Sequence, residues 1–345
     1  MSGASFPSCQ NEGCAEAALS FASQCWTHIP QDNYLKELAG HLRSLSSNAA
    51  AALNLKKVTG EGIDLSGLNL ACSNLSQAHL THSSFVGTNL NDANLIGAKF
   101  NQCDFVGGRL ERANFTRASL TGCSFSYADL HGALLVEAHL KDVDLMGAIL
   151  FDLLPWNTDF SGVKHVQKKN FRDPHGPEHE WKVRLSESNP TVSYECYRTI
   201  KHFFYRSGLY EDASWAAYRE RLMERKHFFK TKDLRYVPSL LMDLLSGYTE
   251  RPNRVILSSL VIVFLFAFLY YFFNATVPAR GPAQTPASFW NSLYFSFVTF
   301  TTVGYGDFVP RPEIYYKMLA CTEAFSGPFM AGLYIFTLTR RYAAS

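Results

Sequence analysis

Thr301-Thr302-Val303-Gly304-Tyr305-Gly306-Asp307 lies near the C-terminal end of a chain of 345 residues. A cation crossing a low-dielectric layer must exchange its water shell for fixed oxygens, and backbone carbonyls aimed at one axis can supply them. An ordinary run of L-residues cannot aim consecutive carbonyls that way, because alternate positions need φ > 0. Gly304 and Gly306 adopt such angles without a Cβ clash. The Thr302 hydroxyl adds an oxygen below its own carbonyl. Val303 and Tyr305 are expected to turn their side chains away from the axis and brace the loop.

The flanks give this loop its setting. Val255 to Phe273 is a run of 19 residues without a charge. As a helix it would measure about 28 Å, close to the hydrocarbon thickness of a bilayer. Phe289 to Thr301 is apolar and aromatic but would reach only about 20 Å, so it reads as a re-entrant pore helix. Tyr315 to Leu338 is a second span, broken by Lys317, Glu323 and the Ser326-Gly327-Pro328 step.

Span, half-span, TTVGYGD and span together resemble the two-transmembrane potassium channels of prokaryotic type. The resemblance implies K+ as the permeant ion, bound by a selectivity filter made of Thr302, Val303, Gly304, Tyr305 and Gly306. It also implies four identical chains around one axis in a lipid bilayer, with Asp307 as a ring of carboxylates at the outer mouth. Gly327, Pro328 and Gly332 would weaken the inner helix and give a gate its hinge. Glu323, inside a membrane span, is a functional candidate; its bland alternative is a solvated site near the outer helix end, or a bond behind the filter. Tyr294 and Phe295 stand where many relatives carry paired tryptophans, and Val298 where some bacterial channels place a carboxylate.

Upstream, Leu or Phe recurs at every fifth position from Leu65 to Leu150, eighteen times without exception. A small residue sits two positions before most of them, as at Ala78, Ala93, Ala98, Cys103, Ala113, Ala118 and Ala128. A period of five suits neither a helix, where the large residues would wander round the axis, nor a strand, where they would flip faces. It fits a four-sided coil of twenty residues per turn, about 22 Å tall for four and a half coils at sheet spacing. This pattern resembles the pentapeptide-repeat family, and the resemblance implies a right-handed quadrilateral β-helix over residues 61–160. Arg109, Arg112 and Arg117 interrupt its modestly acidic exterior, which argues against DNA mimicry.

Cys9, Cys14, Cys25 and His28, spaced C-x4-C-x10-C-x2-H, could hold a structural Zn2+ as a small knuckle within residues 1–30. Leu35, Leu38, Leu42 and Leu45 predict one helix over 31–58, a cap for the first coil in a region bounded at 60. Residues 161–188 are polar and read as a linker. Asn189-Pro190 opens a helical hairpin connector, 189–236, and Leu240, Leu241, Leu244 and Leu245 mark an interfacial amphipathic helix within 237–253. The pore domain then occupies 254–341.

The fold class expected is therefore a multidomain membrane protein: β-helix, α-helical connector and all-α two-span pore. Arg251 and Arg254 before the first span, with Arg340 and Arg341 after the second, place both termini in the cytoplasm, under a plasma or inner membrane. Met1 to Pro7 lacks the features of a cleavable signal. The eight scattered cysteines suit a reducing compartment, and a net charge of +2 excludes a strongly basic nucleic-acid binder. No phosphate-binding Gly-rich motif or catalytic constellation stands out, so an enzyme is not expected. The expected function is passive K+ conduction, with the cytoplasmic part assembling the tetramer or gating it for an unknown cytoplasmic ligand or protein. The rival is a membrane-tethered interaction protein whose pore does not conduct.

Overall fold

A computed structural model describes residues 6–31, 34, 37–38, 41, 52–160, 162–173, 183–280 and 288–342. The chain divides into two compact units, residues 1–227 and 228–345. In the first, strands β1 (Thr59–Glu61), β2 (His79–Thr81), β3 (Lys99–Asn101), β4 (Ser119–Thr121) and β5 (His139–Lys141) form one parallel sheet in sequence order. Each residue pairs with the one twenty positions on, as Leu80 does with Phe100 and Leu120 with Leu140. Three further ladders run through isolated bridges at the same offset, for example Asp64–Ser84–Asp104, Asn69–Asn89–Arg109 and Asn74–Asn94–Asn114. The result is a four-sided solenoid.

The corners explain the period. In each repeat the residue two positions after the large one is left-handed, and on the three sides of the coil without a strand the residue after that closes a turn, as Ala78 N–H does onto the Leu75 carbonyl at 3.1 Å. A turn of this kind needs φ > 0 at its third residue. Gly fills it at Gly87, Gly97 and Gly107, yet Gln77, Asp92, Arg112 and Tyr127 adopt it as well. Asn or Asp just before the large residue helps, because its Oδ1 accepts the N–H two residues on: Asn74 from Ser76, Asn94 from Ile96, Asn114 from Thr116.

Inside, the large residues stack. Phe85, Phe105 and Phe125 form a column with ring centroids 4.5 and 4.6 Å apart. Each such side chain removed from water stabilises the coil by about 1.5–3 kcal/mol. Outside, Arg112 clasps Asp92 with two bonds and Arg117 bonds Glu137, both pairs bridging neighbouring coils.

Two boundaries differ from expectation. The helix predicted to reach residue 58 stops short of it: Leu53 and Leu55 are buried solenoid positions, and Leu55 N–H already donates to the Asn74 carbonyl at 2.8 Å. Gln31, Tyr34, Glu37, Leu38 and His41 are helical, whereas Leu35, Leu42 and Leu45 lie outside the described residues. At the other end, the described parts of the stretch expected as linker, 162–173 and 183–188, are built into the fold, and 161 and 174–182 lie outside the described residues. β6 (Val143–Asp144) pairs with β7 (Val163–Lys164), and Phe171 and Leu185 are fully buried. Leu150 N–H donates to the Asn170 carbonyl, and Asn170 Nδ2 to the Ala148 carbonyl, so a 3-10 turn over Lys168–Phe171 closes the last coil.

The helical hairpin also belongs to this unit rather than standing apart as a spacer. Helix α1 (Pro190–Arg206) starts at Asn189, whose side chain accepts from Thr191 N–H, with Pro at the first turn where no amide is needed. Helix α2 (Tyr210–Lys230) follows. Trp215 stacks on Phe171 and Phe203 meets Phe160, which ties the pair to the solenoid end.

In the second unit, helix α3 (Tyr236–Ser246) ends at left-handed Gly247. Helix α4 (Pro252–Phe272) is, among the described residues, the first of two helices long and apolar enough to cross a bilayer. A short strand β8 (Thr276–Pro278), helix α5 (Phe289–Phe300), strand β9 (Phe308–Pro310) and helix α6 (Ile314–Tyr342) complete the unit. β8 and β9 pair antiparallel. Helix α6 is continuous through Ser326-Gly327-Pro328. Arg254 Nη1 bonds the Asp243 carboxylate at 2.7 Å, anchoring α3 to the start of α4.

Candidate functional site

Helix α5 delivers the chain into residues 301–307 and holds it there. Val303 N–H donates to the Val298 carbonyl at 3.0 Å. Gly304 and Gly306 have φ of +54° and +76°, and Thr302 joins them at +57°. The sequence pointed to the two glycines but not to Thr302, because threonine rarely visits this region. The left-handed residues fall at alternate positions, the alternation that carbonyls aimed at one axis require. Val303 and Tyr305 are exposed on the single chain, and the Thr302 hydroxyl donates to the Thr301 carbonyl. Asp307 Oδ1 accepts Phe308 N–H and its carbonyl accepts Ala279 N–H, so the paired strands fix it at the far end of the loop.

A polar cluster joins helices α4, α5 and α6. Glu323 on α6 is fully buried. Tyr270 of α4 donates its hydroxyl to Glu323 Oε2 at 2.7 Å, and Ser296 of α5 donates to Oε1. Of the two alternatives for Glu323, solvated or bonded, the structure has the bonded one. Phe295 packs edge-on against Tyr270 at 5.0 Å, and Val298 is buried beside them. One turn beyond Glu323, a Cβ added at Gly327 would collide with the Phe300 carbonyl oxygen. Gly327 thus lets α6 press against the end of the pore helix. Gly332, by contrast, has open space around it. Tyr270 and Ser296 were missed from sequence, because each is one of several hydroxyls in its helix and nothing local marks it out.

The second candidate is the thiol cluster. Gly13 turns a small hairpin in which Cys9 N–H bonds the Glu16 carbonyl, bringing Cys9 and Cys14 together. A turn closed by His28 N–H on the Cys25 carbonyl pairs the other two. The four ligand atoms all lie within 4.8 Å of one another. Tetrahedral zinc with ordinary bond lengths needs S···S of about 3.8 Å and N···S of about 3.6 Å. Cys14 and Cys25 Sγ are 3.7 Å apart, and His28 Nδ1 lies 3.6 Å from Cys9 Sγ and 3.2 Å from Cys25 Sγ. The residues therefore fit such an ion. Backbone N–H groups of Asn11 and Cys25 hold the Cys9 thiol down to about 6, which favours the thiolate a metal takes.

Residues 258–344 match the family model described as Ion channel, and residues 61–95, 73–112 and 113–150 match Pentapeptide repeats, in eight copies. The chain is similar to two pore potassium channel b of Oryza sativa subsp. japonica, with 35% identity over 85 residues. That match covers 25% of this chain and 24% of the relative, so the chain spans about a quarter of the curated relative's length. Among solved structures, a pentapeptide repeat protein from the Arabidopsis thaliana thylakoid lumen aligns at 18% identity, covering 33% of this chain and 73% of its own, with a TM-score of 0.21. Another, from the cyanobacterium Cyanothece, aligns at 19% identity over 32% of this chain and 78% of its own, with a TM-score of 0.22.

Proposed function

We propose that this chain, an ion-channel domain carried behind a pentapeptide-repeat solenoid, is one subunit of a tetrameric, potassium-selective channel. The observation that carries the proposal is the run Thr301–Asp307 with left-handed backbone at Thr302, Gly304 and Gly306. In this reading the carbonyls of Thr302, Val303, Gly304 and Tyr305, with the Thr302 hydroxyl below and Gly306 closing the loop, replace the water shell of K+. One chain supplies one wall, so four identical chains complete the cage. Asp307 concentrates cations at the mouth, and conduction is passive, driven by the ion gradient; the chain is a channel and not an enzyme.

The membrane is a plasma or inner membrane with both termini on the cytoplasmic side, following the basic residues that flank the spans. Gly327, Pro328 and Gly332 are the proposed hinge of the gate, with Gly327 doubling as a contact surface for the pore helix. The solenoid unit assembles the tetramer or gates it, in response to a cytoplasmic ligand or protein. Cys9, Cys14, Cys25 and His28 take Zn2+ as a structural ion: four protein ligands leave no open position for catalysis.

Vesicles loaded with K+ and containing the purified channel test the central reading. K+ efflux that vanishes in Gly304→Ala while the tetramer persists supports it. Equal efflux from both proteins would move the function away from the pore, to a tethered interaction protein.

A further inference from the structure

The first coil of a solenoid has no coil before it, and its upstream edge presents backbone groups that would otherwise pair with another chain. Here the edge is covered at Asn54, which is fully buried. Ser20 N–H donates to the Asn54 carbonyl at 3.0 Å, Asn54 N–H donates to Ser20 Oγ at 2.7 Å, and Asn54 Nδ2 donates to the Ala18 carbonyl at 2.6 Å. Lys57 Nζ bonds Glu16 at 2.6 Å, and Leu19 and Trp26 join the solenoid's hydrophobic core. Every one of these contacts except that of Trp26 comes from residues 16–20. That segment lies inside the ten-residue loop between Cys14 and Cys25.

We infer that metal binding at Cys9, Cys14, Cys25 and His28 is the latch of this cap: the bound ion closes the loop that covers the solenoid's open edge, and loss of the ion uncovers it. This rests on the reading that the four residues hold Zn2+. A segment so short buries little core of its own, so its shape depends on a cross-link at the loop ends. With the ion present, both ends of the loop meet at one point and Ser20 stays opposite Asn54. Without it, the hairpin bonds remain but the loop is free to leave, and the occupant that the bare edge fits is the same edge of a second copy of this chain.

The test uses the full-length channel in detergent, with metal content measured first and amide hydrogen exchange second. Exchange is followed at Asn54 and at its equivalent in an interior coil, Asn94, before chelation, after chelation under reducing conditions, and after adding Zn2+ back. The expected result is one zinc per chain and a rise of about tenfold or more in Asn54 exchange on stripping, reversed by Zn2+, with Asn94 unchanged. Zinc present with Asn54 exchange unmoved by its removal overturns the latch and leaves the metal site standing. A purified protein that holds no zinc and takes none up overturns both. Chelating wild-type protein keeps the test independent of whether a Cys14→Ser variant folds.

Discussion

At Gly304 the backbone is left-handed and no atom of the chain would crowd an added methyl, so Gly304→Ala acts through backbone conformation alone. The strain is on the order of 1 kcal/mol, enough to turn the carbonyl of a filter residue without unfolding the unit. We expect Gly304→Ala to abolish K+ efflux while tetramer yield stays at the wild-type level; undiminished efflux would contradict this role. Gly327→Ala is different in kind, because the new methyl would meet backbone at Phe300. Its expected outcome is loss of folded channel in a thermal melt, whereas Gly332→Ala, facing open space, should stay within about 0.5 kcal/mol of wild type. Glu323→Ala leaves the Tyr270 hydroxyl buried without its acceptor, a cost of about 1–3 kcal/mol. Most of that penalty should disappear when Tyr270→Phe is added, which a double-mutant cycle reads directly; additive effects would mean the two groups do not act together.

Among the elements, the solenoid coil is where sequence speaks most plainly. Its contacts repeat every five and twenty residues, so one line of leucines and phenylalanines encodes both the core and the register. Phe105, stacked between Phe85 and Phe125, should cost about 3–5 kcal/mol when changed to Ala. Arg112→Ala, breaking an exposed pair with Asp92, should cost only about 0–1 kcal/mol, and chemical denaturation of the solenoid unit would distinguish the two. The two spans and the pore helix were legible for a similar reason, since length and apolar content suffice. What escaped was non-periodic. The closing turn at 162–173 looks polar, and its anchors, Phe171 and Asn170, gain meaning from partners twenty or more residues away. Glu323 was visible as an odd charge in a span, but its partners lie 27 and 53 positions upstream. The helix ending before Leu53 was misjudged because leucines at three- and four-residue spacing run straight into leucines that serve the first coil.

For the whole molecule, the boundary that matters falls at 227/228 rather than 160/161. A truncation after residue 160 would strip the coils from Phe171, Leu185 and the hairpin that packs on them, so it should yield misfolded protein. A chain beginning at residue 228 cuts the last turn of α2 but keeps helices α3 to α6 and the contacts among them. Conduction retained with altered open probability would make the first unit a gating device, and failure to form tetramers would make it an assembly scaffold. Both outcomes presuppose that the pore selects potassium. The measurement that bears on this most directly is the reversal potential of the purified full-length channel in a bilayer with K+ on one side and Na+ on the other. We expect a value close to the potassium equilibrium potential; a current that reverses near zero under that gradient would contradict potassium selectivity.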